Sequence, residues 1–247
     1  VAIYWAAIGG LCLWLASYPH MWWIAVAGTA ALFRALDTHH RIAASFTFAT
    51  FLFAPLVWWV SVLGLEAWAL LLSMCVLPFL LLTAVRIPQG RLGPAVFAAG
   101  YPLVEQVHAS FPWGGFPWGL IAFTQLDGPF AWLSRLGGQS LVAFGVCFVG
   151  ASLTTVRVQP RAAMTSVLAA LLVTGGAVAF TTREAGELTI AAIQGGVPRP
   201  ELPPLEQIAK VLDNHIQQTM RTDLAGVDLV VWPESAAMDD PLHNPST

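Results

Sequence analysis

The sequence predicts a polytopic α-helical membrane domain of about seven spans that passes into the start of an α/β domain. Three observations predict it. Of 247 residues, 57% are hydrophobic and 10% charged, with a mean hydropathy of +0.68. A soluble domain carries about 25% charged residues. The charge is also unevenly placed: residues 1–180 hold 11 charged side chains, seven arginines and four acids, while residues 181–247 hold 14. That shift near Thr181 marks a domain boundary, giving 1–180 as the membrane part and 181–247 as a polar part. The polar part then reads strand, helix, strand, as a βαβ unit does.

The spans come first. A bilayer core needs about 20 apolar residues per helix. Apolar stretches of about that length run over 1–17, 21–36, 42–63, 67–85, 94–107, 133–156 and 162–180. The fifth is short and holds Pro102 and Glu105. The loop charges test the count. With Val1 on the cytoplasmic side, Arg34, Arg41, Arg86, Arg91, Arg157 and Arg161 all fall in cytoplasmic loops. The opposite loops carry His20, Glu66, Asp127 and a single arginine, Arg135. Six of the seven arginines lie on one side, as the positive-inside rule asks. An odd number of spans puts everything after Phe180 outside the cytoplasm. Apolar segments keep recurring, so no cleavable signal peptide is expected. The start at Val1, without an initiator Met, is what a trimmed N-terminus gives.

Several residues invite chemistry and have a plainer reading. Cys12, Cys75 and Cys147 lie inside apolar runs without metal-ligand spacing. They read as inert packing thiols. His39-His40 has no third or fourth ligand nearby and reads as loop polarity, so no metal and no cofactor is expected. A net charge of -3 argues against a nucleic-acid partner. Glu105 inside a span marks either a function with an internal partner or a solvated acid beside His108 at the outer interface; the sequence leaves both open. The loop 110–130, S-F-P-W-G-G-F-P-W-G-L-I-A-F-T-Q-L-D-G-P-F, alternates aromatics with Pro and Gly. It reads as a non-helical segment lining a lipid-accessible groove, or as a plain aromatic belt.

In the polar part, residues 188–193 read as a strand ended by Gln194-Gly195-Gly196-Val197-Pro198. After Pro203-Pro204, a helix is expected over 205–224. Leu205, Ile208, Leu212, Ile216, Met220 and Leu224 form its apolar stripe. Gly226 stops it. Residues 227–231, V-D-L-V-V, are a second strand, and Trp232-Pro233 ends it because proline cannot donate to a ladder. Glu234 follows at the strand's carboxyl end, where α/β layers collect ligands and catalytic groups. The plain alternative is a solvated loop acid. About sixty residues are few for a layered domain, so the domain is expected to continue beyond the sequence.

Three segments carry a resemblance. F-P-W-G-L-I-A-F-T-Q at 116–125, I-Q-G-G-V-P at 193–198 and D-L-V-V-W-P-E at 228–234 resemble the apolipoprotein N-acyltransferase family, the membrane-bound branch of the nitrilase superfamily. V-L-D-N-H at 211–215 and D-P-L-H-N-P at 240–245 look like its actinobacterial type. The resemblance implies the start of a nitrilase-like (αββα) domain, incomplete over 181–247, on the outer face of the bacterial cell membrane. It implies a Glu-Lys-Cys triad that moves an acyl chain from a phospholipid donor, through a thioester, to the amine of a diacylglyceryl-cysteine apolipoprotein. Glu234 matches the general base, a sheltered carboxylate. The triad's lysine and cysteine follow the glutamate in the family. Here the one lysine is Lys210, upstream of Glu234, and all three cysteines are in spans. These residues alone are therefore expected to be inactive. Two departures stand out: E-Q-V-H at 105–108 replaces the family's E-W-L-R, and no Trp follows I-Q-G-G-V-P closely. A membrane-tethered nitrilase-like hydrolase using water, or a polytopic transporter or scaffold with a binding domain, remain alternatives.

Overall fold

The computed structural model describes residues 1–179, 185–197 and 204–237. The predicted boundary near Thr181, Pro198 to Pro203 and the 240–245 segment lie outside the described residues. The chain divides into two compact units, Val1–Thr181 and Thr182–Thr247.

The first unit holds α1 (Ala2–Ala16), α2 (Trp22–Leu36), α3 (Arg41–Leu56), α4 (Leu65–Phe79), α5 (Gly93–Ser110), α6 (Ser134–Thr154) and α7 (Pro160–Ala179). Among the described residues, Leu65–Ala84, Pro129–Thr154 and Pro160–Ala179 are long and apolar enough to cross a membrane. Ala2–Ala16, Trp22–Leu36 and Arg41–Leu56 are apolar but shorter. At 1.5 Å per residue they reach about 22–24 Å, against about 30 Å of hydrocarbon. The unit is thus a helical membrane domain. Two stretches expected as unbroken spans are broken near prolines. After Pro55 in α3 the chain tightens into a 3-10 turn at Trp58–Leu63, and after Pro78 in α4 into another at Leu80–Ala84. Proline lacks the N–H that an α-helix needs and crowds the preceding turn.

Lipid is as apolar as a leucine side chain, so close packing rather than the hydrophobic effect holds such helices together. Small residues make that packing possible. A Cβ on Gly9 would lie 3.0 Å from the Gly28 carbonyl, and one on Gly10 would enter the Phe48 backbone. That brings α1 against α2 and α3. Phe48, Phe53, Phe79 and Tyr101 form a buried aromatic cluster with ring centroids 5.2–6.3 Å apart. Such pairs contribute roughly 0.5–1.5 kcal/mol each beyond burial.

A cavity of about 360 Å³ lined by Arg34, Asp37, Gln89, Thr155 and Gln159, among others, brings three connections to one end of the bundle. These are α2–α3, α4–α5 and α6–α7; within them or at the helix ends that flank them lie six of the seven arginines of residues 1–180. Elsewhere, the α1–α2 turn meets the α5–α6 loop, where the His20 N–H donates to Asp127 Oδ2 at 3.2 Å.

The second unit holds β1 (Ile190–Ala192), α8 (Pro204–Arg221) and β2 (Leu229–Val231). The strands pair in parallel, Ile190 opposite Leu229 and Ala192 opposite Val231. Parallel neighbours need a long crossover, and α8 lies in it. Asp228 closes the lower end: its N–H donates to Thr189 O at 2.9 Å, and its Oδ2 accepts from the Thr189 N–H at 2.8 Å. Both strands are shorter than their apolar runs. The helix stops at Arg221, short of Leu224. Of its expected stripe, Ile208, Leu212 and Ile216 are half-buried. Met220 is 81% exposed, while the buried centre of the helix is His215.

Candidate functional site

Glu234 stands in a turn just beyond β2, where the Ala236 N–H donates to the Pro233 carbonyl at 3.3 Å and Ser235 takes a φ of +62°. Its side chain is exposed. The shelter expected for a general base is therefore not supplied by the described residues. Two strands of three residues build no second layer over the strand end.

What fixes the turn is the residue two positions earlier. The Trp232 Nε1–H donates to Thr219 Oγ1 at 2.9 Å, and its ring lies 5.7 Å from the His215 ring. His215 is 2% exposed. Its Nδ1–H donates to the Val211 carbonyl at 2.7 Å, and its Nε2 pairs with the Gln194 side-chain amide at 3.1 Å. Gly195 completes the contact, since a Cβ there would lie 2.5 Å from the His215 backbone nitrogen. One helix residue thus joins I-Q-G-G-V-P to V-V-W-P-E. Sequence reasoning passed over it, because His215 is a polar residue at the edge of the apolar stripe, three residues after Leu212 and seven after Ile208. Its signal was the i, i+4 row Val211, His215, Thr219, which carries all three contacts.

The other candidates separate cleanly. Lys210 is paired on the surface of α8 with Asp213, Nζ to Oδ2 2.8 Å. That bond, with one from Gln217, holds the Asp213 carboxyl below its ordinary range. Cys75 and Cys147 are buried and Cys12 is half-buried, on α4, α6 and α1. Among the described residues no three His, Cys, Asp or Glu side chains gather as a metal site.

In the membrane unit, Glu105 is 4% exposed and His108 2%. The solvated reading of Glu105 is therefore wrong. Its Oε1 accepts from the Ile121 backbone N–H at 2.7 Å. One turn on, the His108 Nε2–H donates to the Trp118 carbonyl at 3.1 Å, and the His108 carbonyl accepts from the Phe116 N–H at 3.1 Å. Residues 116–121 are thus fastened along α5. Trp118 stacks on Phe116 at 5.3 Å and meets Trp59 at 5.4 Å, and Trp113 is 90% exposed. The segment ends at Gln125, which is buried and donates to the Trp22 carbonyl at 3.1 Å.

Comparison with known proteins places the chain in a family. The family described as "Apolipoprotein N-acyltransferase N-terminal domain" matches residues 9–152, more than half of the chain. A protein of Mycolicibacterium smegmatis named apolipoprotein N-acyltransferase is 35% identical over 97% of this chain and 47% of its own length. Proteins of the same name from Pseudomonas putida and Azotobacter vinelandii are 32% and 37% identical, over 62% and 49% of this chain and 31% and 25% of their own lengths. The chain thus spans less than half the length of these curated relatives. By the match over residues 9–152, it belongs to the apolipoprotein N-acyltransferase family.

Proposed function

We propose that the protein acylates the N-terminal amine of diacylglyceryl-cysteine apolipoproteins, with a membrane phospholipid as acyl donor. The family match over the membrane unit carries this reading. Three features support it further: the W-P-E turn at the end of a parallel strand, the exposed tryptophans of the 110–130 loop, and the grouping of arginine-bearing connections at one end of the bundle. That grouping fits seven spans with the second unit outside the cytoplasm. The second unit is then the beginning of a nitrilase-like domain.

In this mechanism Glu234 is the general base. It takes the proton of a cysteine thiol, and the thiolate attacks the carbonyl of a phospholipid acyl ester. A lysine cation steadies the oxyanion. The ester C–O bond breaks and lysophospholipid leaves with a proton, giving a thioester. The lipoprotein amine then attacks the thioester, forms the amide, and returns the thiol. The covalent step divides one difficult transfer into two. The lysine and cysteine have no counterpart after Glu234 among these 247 residues.

The test is Glu234→Gln in the protein expressed from its full reading frame, assayed with phospholipid vesicles and a diacylglyceryl lipopeptide. General-base loss typically costs about 10²–10⁴-fold in rate. Acylation at the unsubstituted rate overturns the reading. The exposure of Glu234 favours one competing reading, a domain that only binds. That reading predicts no amide product at all, and no thioester on isolation of the protein.

A further inference from the structure

We propose that Glu105 and His108 are positioning residues. They hold the 116–121 segment so that Trp118, braced by Trp59 and Phe116, presents a fixed aromatic wall to a lipid acyl chain. This rests on the family reading only for the choice of a lipid as occupant.

The geometry carries the argument. An acid buried in a helical bundle, as Glu105 is, costs free energy unless something specific occupies it. Here what occupies Glu105 is a backbone N–H of a loop that contains no regular α-helix, 16 residues away in sequence. Non-helical backbone at membrane depth survives only where its polar groups are satisfied by protein. Glu105 and His108 lie three residues apart, on one face of α5. One accepts from the loop at Ile121. The other donates to it at Trp118 and, through its own carbonyl, accepts at Phe116. The loop is thus held at three points across six residues.

Gly119 sits between those points with a φ of +75°, and a Cβ there would come within 2.8 Å of Leu56 and Phe53. The backbone has no freedom to lift without losing that seat. Trp118 of the held segment, Trp59 of the 58–63 turn and Phe123 just beyond the segment turn their rings outward. Trp118 is 46% exposed, Trp59 52% and Phe123 53%. The neighbouring surface is apolar too, with Val62 and Leu63 at 82% and 75%. No charged side chain of that segment interrupts it, since 110–126 contains none. A flexible, uncharged chain is the chemistry such a wall accepts.

The experiment uses phosphatidylglycerol vesicles doped with a phospholipid that carries a photoreactive diazirine on its acyl chain. Labelled peptides are mapped by mass spectrometry in the unsubstituted chain and in Glu105→Gln, Glu105→Leu and Gly119→Ala. Peptides of α7, such as the one holding the exposed Leu168 and Leu172, report whether the bundle is intact. Labelling at 111–123 above the α7 level is expected in the unsubstituted chain. Gln keeps an oxygen acceptor for the Ile121 N–H, so Glu105→Gln should label within twofold of it. Glu105→Leu should lose at least fivefold at 111–123 with α7 unchanged. Gly119→Ala should do the same while leaving Glu105 in place, which covers the case in which the leucine variant fails to fold. Loop labelling that is no higher than α7 in the unsubstituted chain overturns the wall. Unchanged loop labelling in Glu105→Leu or Gly119→Ala overturns the positioning role. Neither readout needs acyl transfer, so a failed Glu234 assay leaves this inference standing.

Discussion

Both units use the same device, a buried polar side chain on a helix that fastens a motif-bearing segment, yet the surroundings of the two are opposite. In the membrane unit, Glu105 and His108 sit beside a dense aromatic core: the His108 ring lies 4.9 Å from Phe53 and 5.7 Å from Phe79. In the second unit, Ile193 and Ala236 are the buried hydrophobic residues among those described, and His215 is the buried polar one. The difference teaches where each fastening acts. Where a core exists, the polar bond decides only the loop's position, because packing already fixes the helices. Where little apolar surface is buried, the polar bonds are a large part of what holds the unit together.

The largest expected effect breaks that comparison at its weak side. His215→Ala removes the side chain that meets the Val211 carbonyl, the Gln194 amide and the Trp232 ring. A lost buried contact plus unpaired partners costs about 2–4 kcal/mol. In a unit with so small a core this should open it as a whole. Limited proteolysis of the chain in membranes is expected to cut within 185–237 at least tenfold faster, with the membrane unit resistant. Protection equal to the unsubstituted chain would show that the second unit does not depend on its polar centre.

How much of this was legible in the sequence follows the same divide. The apolar runs were legible because a bilayer dictates their length and composition. The breaks after Pro55 and Pro78 were carried by the prolines themselves, but an apolar composition masks where a helix tightens. Glu105 was legible as an anomaly, whereas its partner was not. The Ile121 N–H is a backbone group, and every residue but proline has one. His215 was hidden for a related reason. The apolar stripe of α8 predicts which face is buried, and the buried centre is a polar residue between Val211 and Thr219. Glu234 was singled out as a candidate by its strand and its Trp-Pro stop, while its exposure depends on layers that a pattern of three-residue strands does not reveal.

A smaller effect sharpens the strong side of the comparison. Tyr101 is fully buried in the aromatic cluster, and its hydroxyl has no partner among the described residues. A buried hydroxyl without a hydrogen bond costs about 1–3 kcal/mol. Tyr101→Phe keeps the ring and removes that cost. Its thermal unfolding in detergent should therefore move upward, by the equivalent of about 1 kcal/mol, with loop labelling at 111–123 unchanged. A fall of the same size would mean that the hydroxyl is satisfied and belongs to the polar system around Glu105.

The smallest effect concerns the surface of α8. Asp213 is held below the ordinary carboxylate range first by its bond from Lys210 and then by that from Gln217. The sign follows from linkage. As pH falls, the unfolded chain takes up the proton first, near the usual aspartate value of about 3.9. The contribution of Asp213 is therefore complete above that value and is lost as pH falls through the lowered folded one. Both partners are about half exposed, so solvent and salt screen the pair and the change should be slight. The measurement is the protease resistance of the second unit from pH 7 to pH 3, in the unsubstituted chain and in Asp213→Asn. The other titratable groups are the same in both proteins, so only the difference between the two curves reports Asp213. That difference should be flat down to about pH 5 and should narrow below it. A gap that instead opens between pH 6 and 7 would assign the effect to a histidine, and would move Lys210 and Asp213 out of the account of what steadies α8.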